Sequence, residues 1–140
     1  MRNVIILGLT GSIGNTALRG IERFRDSINI VGASCHNNIK KALDLCCQYS
    51  IPNLCVTSNT YFNDYPSNVK IWGNLKEMLD SLKADIVLNG ISGSPGLRAS
   101  FDVLSAHSDL ALANKESVVM GGHLLFDYSK KYNQLIIPVD

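Results

Sequence analysis

The segment Val4-Ile5-Ile6-Leu7-Gly8-Leu9-Thr10-Gly11-Ser12-Ile13-Gly14 constrains this chain more than any other, because an apolar run breaks there on glycine and restarts as a helix. Val4 to Leu7 is short, continuous and apolar, as a strand buried on both faces of a parallel sheet must be. The glycines at 8, 11 and 14 then fall in a G-x-x-G-x-x-G spacing. Gly8 supplies backbone angles closed to other residues, Gly11 lets the backbone approach a ligand, and Gly14 lets the new helix lie close on the strand. Thr10 and Ser12 add hydroxyl donors beside the helix N-terminus. Unpaired N–H groups and the helix dipole make that spot an anion site, most naturally for a pyrophosphate. Strand, glycine turn and helix in this order are the context a dinucleotide-binding fingerprint requires. The same residues would also make a strand-to-helix turn that uses glycine for its geometry alone.

The alternation continues along the chain. A helix is expected from Ser12 to about Phe24, with Ile13, Ala17, Leu18 and Ile21 at helical spacing, then a strand over 28–34 and a helix from about Ile39 to Tyr49. Asn53 to Thr57 and Val69 to Trp72 read as strands, Asn74 to Leu82 as a helix, and Asp85 to Gly90 as the clearest strand after the first. Leu97 to His107 is a helix, Asp109 to Ala113 a strand, Val118 to Tyr132 a helix and Leu135 to Val139 a last strand. Pro52 and Pro66 punctuate the loops. This order implies an α/β fold of Rossmann-like, doubly wound type, a mostly parallel sheet with helices on both faces.

A chain of 140 residues makes one domain able to bury about two-thirds of its unfolded surface. Lys and Arg number 13 against 12 Asp and Glu, with no basic stripe, so no electrostatic footprint for nucleic acid or an anionic membrane exists. No basic n-region with an apolar h-region and no membrane-length apolar run is present, and a soluble, cytoplasmic protein is expected. Cys35, Cys46, Cys47 and Cys55 lack C-x-x-C spacing. Reduced, mostly buried thiols are expected, not a disulfide framework or a metal cluster.

Three further clusters bear on function. At the end of the second strand, where an NAD-binding domain places Asp or Glu for the adenosine ribose, the chain reads Ala33-Ser34-Cys35-His36-Asn37-Asn38, with no carboxylate. Ser34, His36, Asn37, Asn38, Lys40 and Lys41 could donate to a 2′-phosphate, which favours NADP; Asn37 or Asn38 also reads as a helix cap. The small-residue loop Gly90-Ile91-Ser92-Gly93-Ser94-Pro95-Gly96 ends a parallel strand, so it lies on the edge where open α/β sheets bind ligands, although such a connection needs none. Asn114-Lys115-Glu116-Ser117 reads either as a ligand-reaching cluster or as a charged helix start favoured by the macrodipole. Asp140 suits a hard cation, but one carboxylate is not a site.

Taken together, Leu7 to Gly14, Leu112-Ala113-Asn114-Lys115-Glu116-Ser117 and Ile137-Pro138-Val139-Asp140 give the sequence a pattern that resembles the 1-deoxy-D-xylulose 5-phosphate reductoisomerase family, over the whole chain but only as that enzyme's N-terminal, NADPH-binding domain. The resemblance implies NADPH contacts at Thr10, Gly11, Ser12, Ile13, Asn38, Asn114 and Glu116, a substrate-binding lysine in Lys115, and the first carboxylate of a divalent-metal site, Mg²⁺ or Mn²⁺, in Asp140. It further implies that the full-length enzyme converts 1-deoxy-D-xylulose 5-phosphate to 2-C-methyl-D-erythritol 4-phosphate in non-mevalonate isoprenoid synthesis, as a homodimer, with the catalytic and C-terminal domains lying outside residues 1–140. The family tends to show Gly-Lys-Asn where this chain has His36-Asn37-Asn38, so only Asn38 fits and His36, Lys40 or Lys41 must stand in for the lysine. Two alternatives share the fold: a non-catalytic nucleotide-binding or regulatory module, and another NADP-linked dehydrogenase domain.

Overall fold

The computed structural model describes residues 1–58, 62–113 and 115–139, with Lys115 as backbone alone. Strands β1 (Arg2–Leu7), β2 (Ile28–Cys35), β3 (Asn53–Val56), β4 (Lys70–Trp72), β5 (Ile86–Asn89), β6 (Asp109–Leu112) and β7 (Ile136–Pro138) alternate with helices α1 (Ser12–Glu22), α2 (Ile39–Tyr49), α3 (Leu75–Leu82), α4 (Gly93–Ser105) and α5 (Lys115–Tyr132); only β3 and β4 follow one another without a helix between them among the described residues. The strands form one sheet in the order β4-β3-β2-β1-β5-β6-β7, and every pairing is parallel. The first four strands therefore wind outward to one side of β1 and the last three to the other. The order reverses between β1 and β5, which is where a doubly wound sheet opens a crevice at its carboxyl edge.

Alternation along β1 divides the core in two. Val4 and Ile6 join Leu18 of α1 and Ile39, Ala42, Leu43 and Cys46 of α2 on one face. Ile5 and Leu7 join Met78 and Leu79 of α3, Val103 and Leu104 of α4 and Leu125 of α5 on the other. Ile5, Ile6 and Leu7 are wholly buried, as a central parallel strand covered on both faces requires.

Two helices begin earlier than their apolar periodicity suggests. Helix α4 starts at Gly93, not Leu97, because Pro95 falls in the first turn, where a missing N–H costs no intrahelical bond. Helix α5 starts at Lys115, not Val118, with Glu116 in its favourable first turn. Gly121, in the middle of α5, allows the helix to approach α4: a Cβ there would lie 2.6 Å from Leu97 Cδ1. Among the described residues no helix is long and apolar enough to cross a membrane.

Candidate functional site

The turn after β1 is held from below. Ser34 of β2 is buried; its Oγ accepts the Gly8 N–H at 3.0 Å and its carbonyl accepts the Leu9 N–H at 2.9 Å. Ser34 is thus a brace of the turn, and it also lines the cleft beside it. Gly8 sits at φ +77°, a conformation side chains disfavour, and a Cβ there would come within 3.3 Å of the Gly90 backbone. The loops after β1 and β5 nearly touch at this point. Gly14 is tighter still, since a Cβ would fall 2.4 Å from the Leu9 carbonyl oxygen and 2.7 Å from that of Gly8.

Gly11 is different. It is the N-cap of α1 at φ −79° and ψ 174°, extended backbone open to any residue, and a Cβ would meet only the Gly8 oxygen at 3.5 Å. The fold does not require glycine here, and the space above it belongs to a cleft. That cleft, about 550 Å³, is lined by Gly8, Thr10 and Gly11 after β1, by Cys35 and His36 at the end of β2, by Thr57 after β3 and by Gly90, Ile91, Ser92 and Pro95 after β5. Its size suits a small-molecule or cofactor site. The N-cap residues of α1, α2 and α4, Gly11, Asn38 and Ser92, make no side-chain cap hydrogen bond, and the first-turn N–H groups of these helices lie at this sheet edge, whereas α3 is capped by Asn74 Oδ1, which accepts from Glu77 N at 2.9 Å. Uncapped N-termini on both sides of the switch point favour an anion between them.

The expected site residues are only partly brought together. Thr10 and Gly11 line the cleft; Ser12 and Ile13 open α1 beside it, and Ile13 packs where a Cβ on Gly90 would lie, 3.1 Å away. Asn38 is the N-cap position of α2, but its side chain makes no cap hydrogen bond, so its expected capping role is not realised. Glu116 stands exposed in the first turn of α5 and is not among the residues lining the cleft. Asn114 and Asp140 lie outside the described residues, as does the side chain of Lys115. Among the described residues no group of three or more His, Cys, Asp or Glu could hold a metal.

The two lysines near the second strand separate clearly. Lys41 Nζ donates to the Thr10 carbonyl at 3.4 Å, at the glycine turn, whereas Lys40 lines a different hollow with Asp44, Phe62, Asp64 and Tyr65. Thr57 and Leu75, which line the cleft, and Asn89, which shapes it, went unread in the sequence as residues of the site. Thr57 follows β3, and nothing in its local context sets it apart. Asn89 is fully buried at the end of β5: its Nδ2 donates to the Gly96 carbonyl and to Ser100 Oγ, both at 2.8 Å, and its Oδ1 accepts from Ile91 N at 3.0 Å. An amide inside an apolar strand was the signal available, because a buried amide must be paired and here it shapes the second loop.

The cysteines are free, with Cys35, Cys46 and Cys55 buried and Cys47 exposed. Burial pushes the Cys35 and Cys55 thiols up to about 11 and that of Cys46 up to about 12, with Cys35 and Cys47 adding to the last. These buried thiols stay protonated and unreactive at neutral pH.

A family model described as 1-deoxy-D-xylulose 5-phosphate reductoisomerase matches residues 4–122. The chain is 39% identical to the reductoisomerase of Treponema pallidum over 140 residues, covering 100% of this chain and 36% of that protein. It is 36% identical to that of Thermotoga maritima over 142 residues, covering 99% and 37% respectively. The solved reductoisomerase of Zymomonas mobilis in complex with NADPH superposes with a TM-score of 0.87 at 28% identity, over 99% of this chain and 38% of that one. The chain thus spans little more than a third of the length of these relatives. Glycine turn, sheet order and sequence similarity over residues 4–122 agree, and the chain belongs to the 1-deoxy-D-xylulose 5-phosphate reductoisomerase family.

Proposed function

We propose that this chain is the NADPH-binding domain of an oxidoreductase that rearranges and reduces 1-deoxy-D-xylulose 5-phosphate, corresponding to the N-terminal part of a longer enzyme. The observation that carries this reading is the cleft at the β1–β5 switch point, roofed by nothing at Gly11, flanked by uncapped helix N-termini and free of a carboxylate at the end of β2. The NADPH complex of the Zymomonas mobilis relative supports it. When bound, the cofactor would supply hydride. The chain's own part is to hold it: Gly8 and Gly11 clear the backbone, the first-turn N–H groups of α1 face the pyrophosphate, and Ser34 keeps the turn from shifting.

A relative has been solved in complex with magnesium. In this chain the described residues do not fit a metal, and Asp140 alone would give a hard cation one carboxylate where several oxygen ligands are needed. No step through a metal is therefore assigned to these residues. Purified 140-residue chain is expected to give no turnover with 1-deoxy-D-xylulose 5-phosphate, NADPH and Mn²⁺, followed by loss of nicotinamide absorbance. Turnover above the buffer control would place the catalytic machinery inside this domain.

Titration of the nicotinamide fluorescence with NADPH and NADH tests the binding itself. Saturable binding with NADPH preferred is the expected result, and equal affinities would remove the preference. Lys41 supplies the charge at the turn, whereas Lys40 lines the other hollow. A Lys41→Ala variant should weaken NADPH more than NADH by roughly 1.5–3 kcal/mol, the worth of a charge-assisted hydrogen bond, while Lys40→Ala changes neither. Equal loss of both cofactors in Lys41→Ala would sink that assignment.

A further inference from the structure

Asn89 ends β5 with a wholly buried carboxamide, which costs free energy in an apolar strand unless its polar atoms are paired. All of its partners lie on the connection that follows. Oδ1 accepts the Ile91 N–H at 3.0 Å, while Nδ2 donates at 2.8 Å to the Gly96 carbonyl in the first turn of α4 and at 2.8 Å to Ser100 Oγ. The Ile91 N–H can only donate and the Gly96 carbonyl can only accept, so the partners fix which way the amide points. Ser100, buried as well, gives its own proton to the Gly96 carbonyl at 3.2 Å and closes the triangle. The sheet does not depend on these bonds, because β5 pairs with β1 and β6 through its backbone. What they fix is the loop.

Gly90, Ile91, Ser92 and Pro95 of this connection form the wall of the cleft that faces the glycine turn. The two walls already touch at their base, where a Cβ on Gly90 would lie 3.1 Å from Ile13 Cβ and 3.2 Å from the Leu7 carbonyl oxygen. The second wall therefore has no room to move inward, and without Asn89 its freedom is outward, away from a ligand. In a doubly wound sheet the adenosine of a dinucleotide lies toward the end of β2, so the other half must cross β1 toward β5. Resting on the NADPH reading of the cleft, we infer that Asn89 is a positioning residue which, through Ile91 and Gly96, holds the loop after β5 against the nicotinamide half of the cofactor and has no part in holding the adenosine half. Each wall is then braced by one buried side chain, Ser34 under the glycine turn and Asn89 under the second loop.

The test compares two ligands on the 140-residue chain: NADPH, which spans both walls, and adenosine 2′,5′-bisphosphate, which carries the adenosine half alone. Asn89→Ala should weaken NADPH roughly tenfold, in keeping with the steep cost of displacing a preorganised contact by a fraction of an ångström. Adenosine 2′,5′-bisphosphate should bind as it does to the wild-type chain. A residue that merely stabilised the fold would weaken both ligands together or neither. Ser100→Ala takes away one acceptor of Nδ2 and leaves the bonds to Ile91 and Gly96, so its loss should be smaller, about threefold, and again confined to NADPH. This milder variant decides the matter if Asn89→Ala does not fold. Equal weakening of both ligands in a folded variant, or unaltered NADPH affinity in either, would overturn the inference. A wild-type chain that binds neither ligand would instead remove the cofactor reading, and the inference with it.

Discussion

A Gly11→Val variant should lose NADPH affinity by about 100-fold or more, equivalent to about 2.7 kcal/mol, while melting within a few degrees of the wild-type chain. The two halves of this expectation have separate causes. The backbone at Gly11 is extended, and the nearest atom to an added Cβ is the Gly8 oxygen at an ordinary 3.5 Å, so the fold accepts the side chain. Valine is a poorer N-cap than glycine, a cost of about 1 kcal/mol or less. The branched side chain nevertheless projects where the backbone must approach the pyrophosphate and covers the first-turn N–H groups of α1. Calorimetric titration beside thermal denaturation checks both halves; unaltered affinity would show that the ligand lies elsewhere.

Gly14→Ala should do the reverse and destabilise the chain by about 3 kcal/mol, a large share of the 5–15 kcal/mol that holds a typical domain together. Position 14 is inside α1, where alanine ordinarily gains up to about 1 kcal/mol over glycine. The sign is reversed here because the new methyl would sit 2.4 Å from Leu9 O and 2.7 Å from Gly8 O. Neither oxygen is free to retreat: Gly8 and Leu9 are tied to Ser34 through their N–H groups, and Gly8 O accepts from Gly11 N at 3.1 Å. Relief therefore requires α1 to lift off β1, opening the packing of Leu18. Urea denaturation decides the matter, and a variant as stable as the wild-type chain would mean that the helix does not press on the turn.

Much of this was legible in residue order. The apolar run of β1, the three glycines and the regular return of short apolar segments define a doubly wound sheet because each is a local demand: a doubly buried strand, a positive φ, a close contact. Helix starts at Gly93 and Lys115 were less legible, since glycine, serine and proline in a first turn look like loop until the helix is seen to continue. The finer parts of the site depend on strand register. Thr57 meets His36 because Cys35 pairs with Val56 across β2 and β3, a relation between residues 21 apart that no local pattern encodes. The bond from Gly8 N to Ser34 Oγ, between residues 26 apart, likewise follows from the place of β2 beside β1 and from no local pattern.

The reversal of strand order at β1 also divides the chain into a half closed by near neighbours and a half closed by distant ones. Strands β2, β3 and β4 can assemble outward from β1 through near neighbours, but the other side of β1 is completed only when β5 arrives, and the clasp between Asn3 N and Asp85 Oδ2, 2.7 Å long, spans 82 positions. Closing so long a loop is entropically unfavourable and slow relative to local pairing. The cleft has one wall from each side of this seam, with Gly11 and His36 from the early half and Gly90 and Ser92 from the late one. A dinucleotide seated there has nothing to grip in a half-assembled chain, so each tenfold excess over its dissociation constant adds about 1.4 kcal/mol to the docked state alone. A bound dinucleotide would therefore hold the seam between β1 and β5 closed, and without it proteolysis is expected first along that seam.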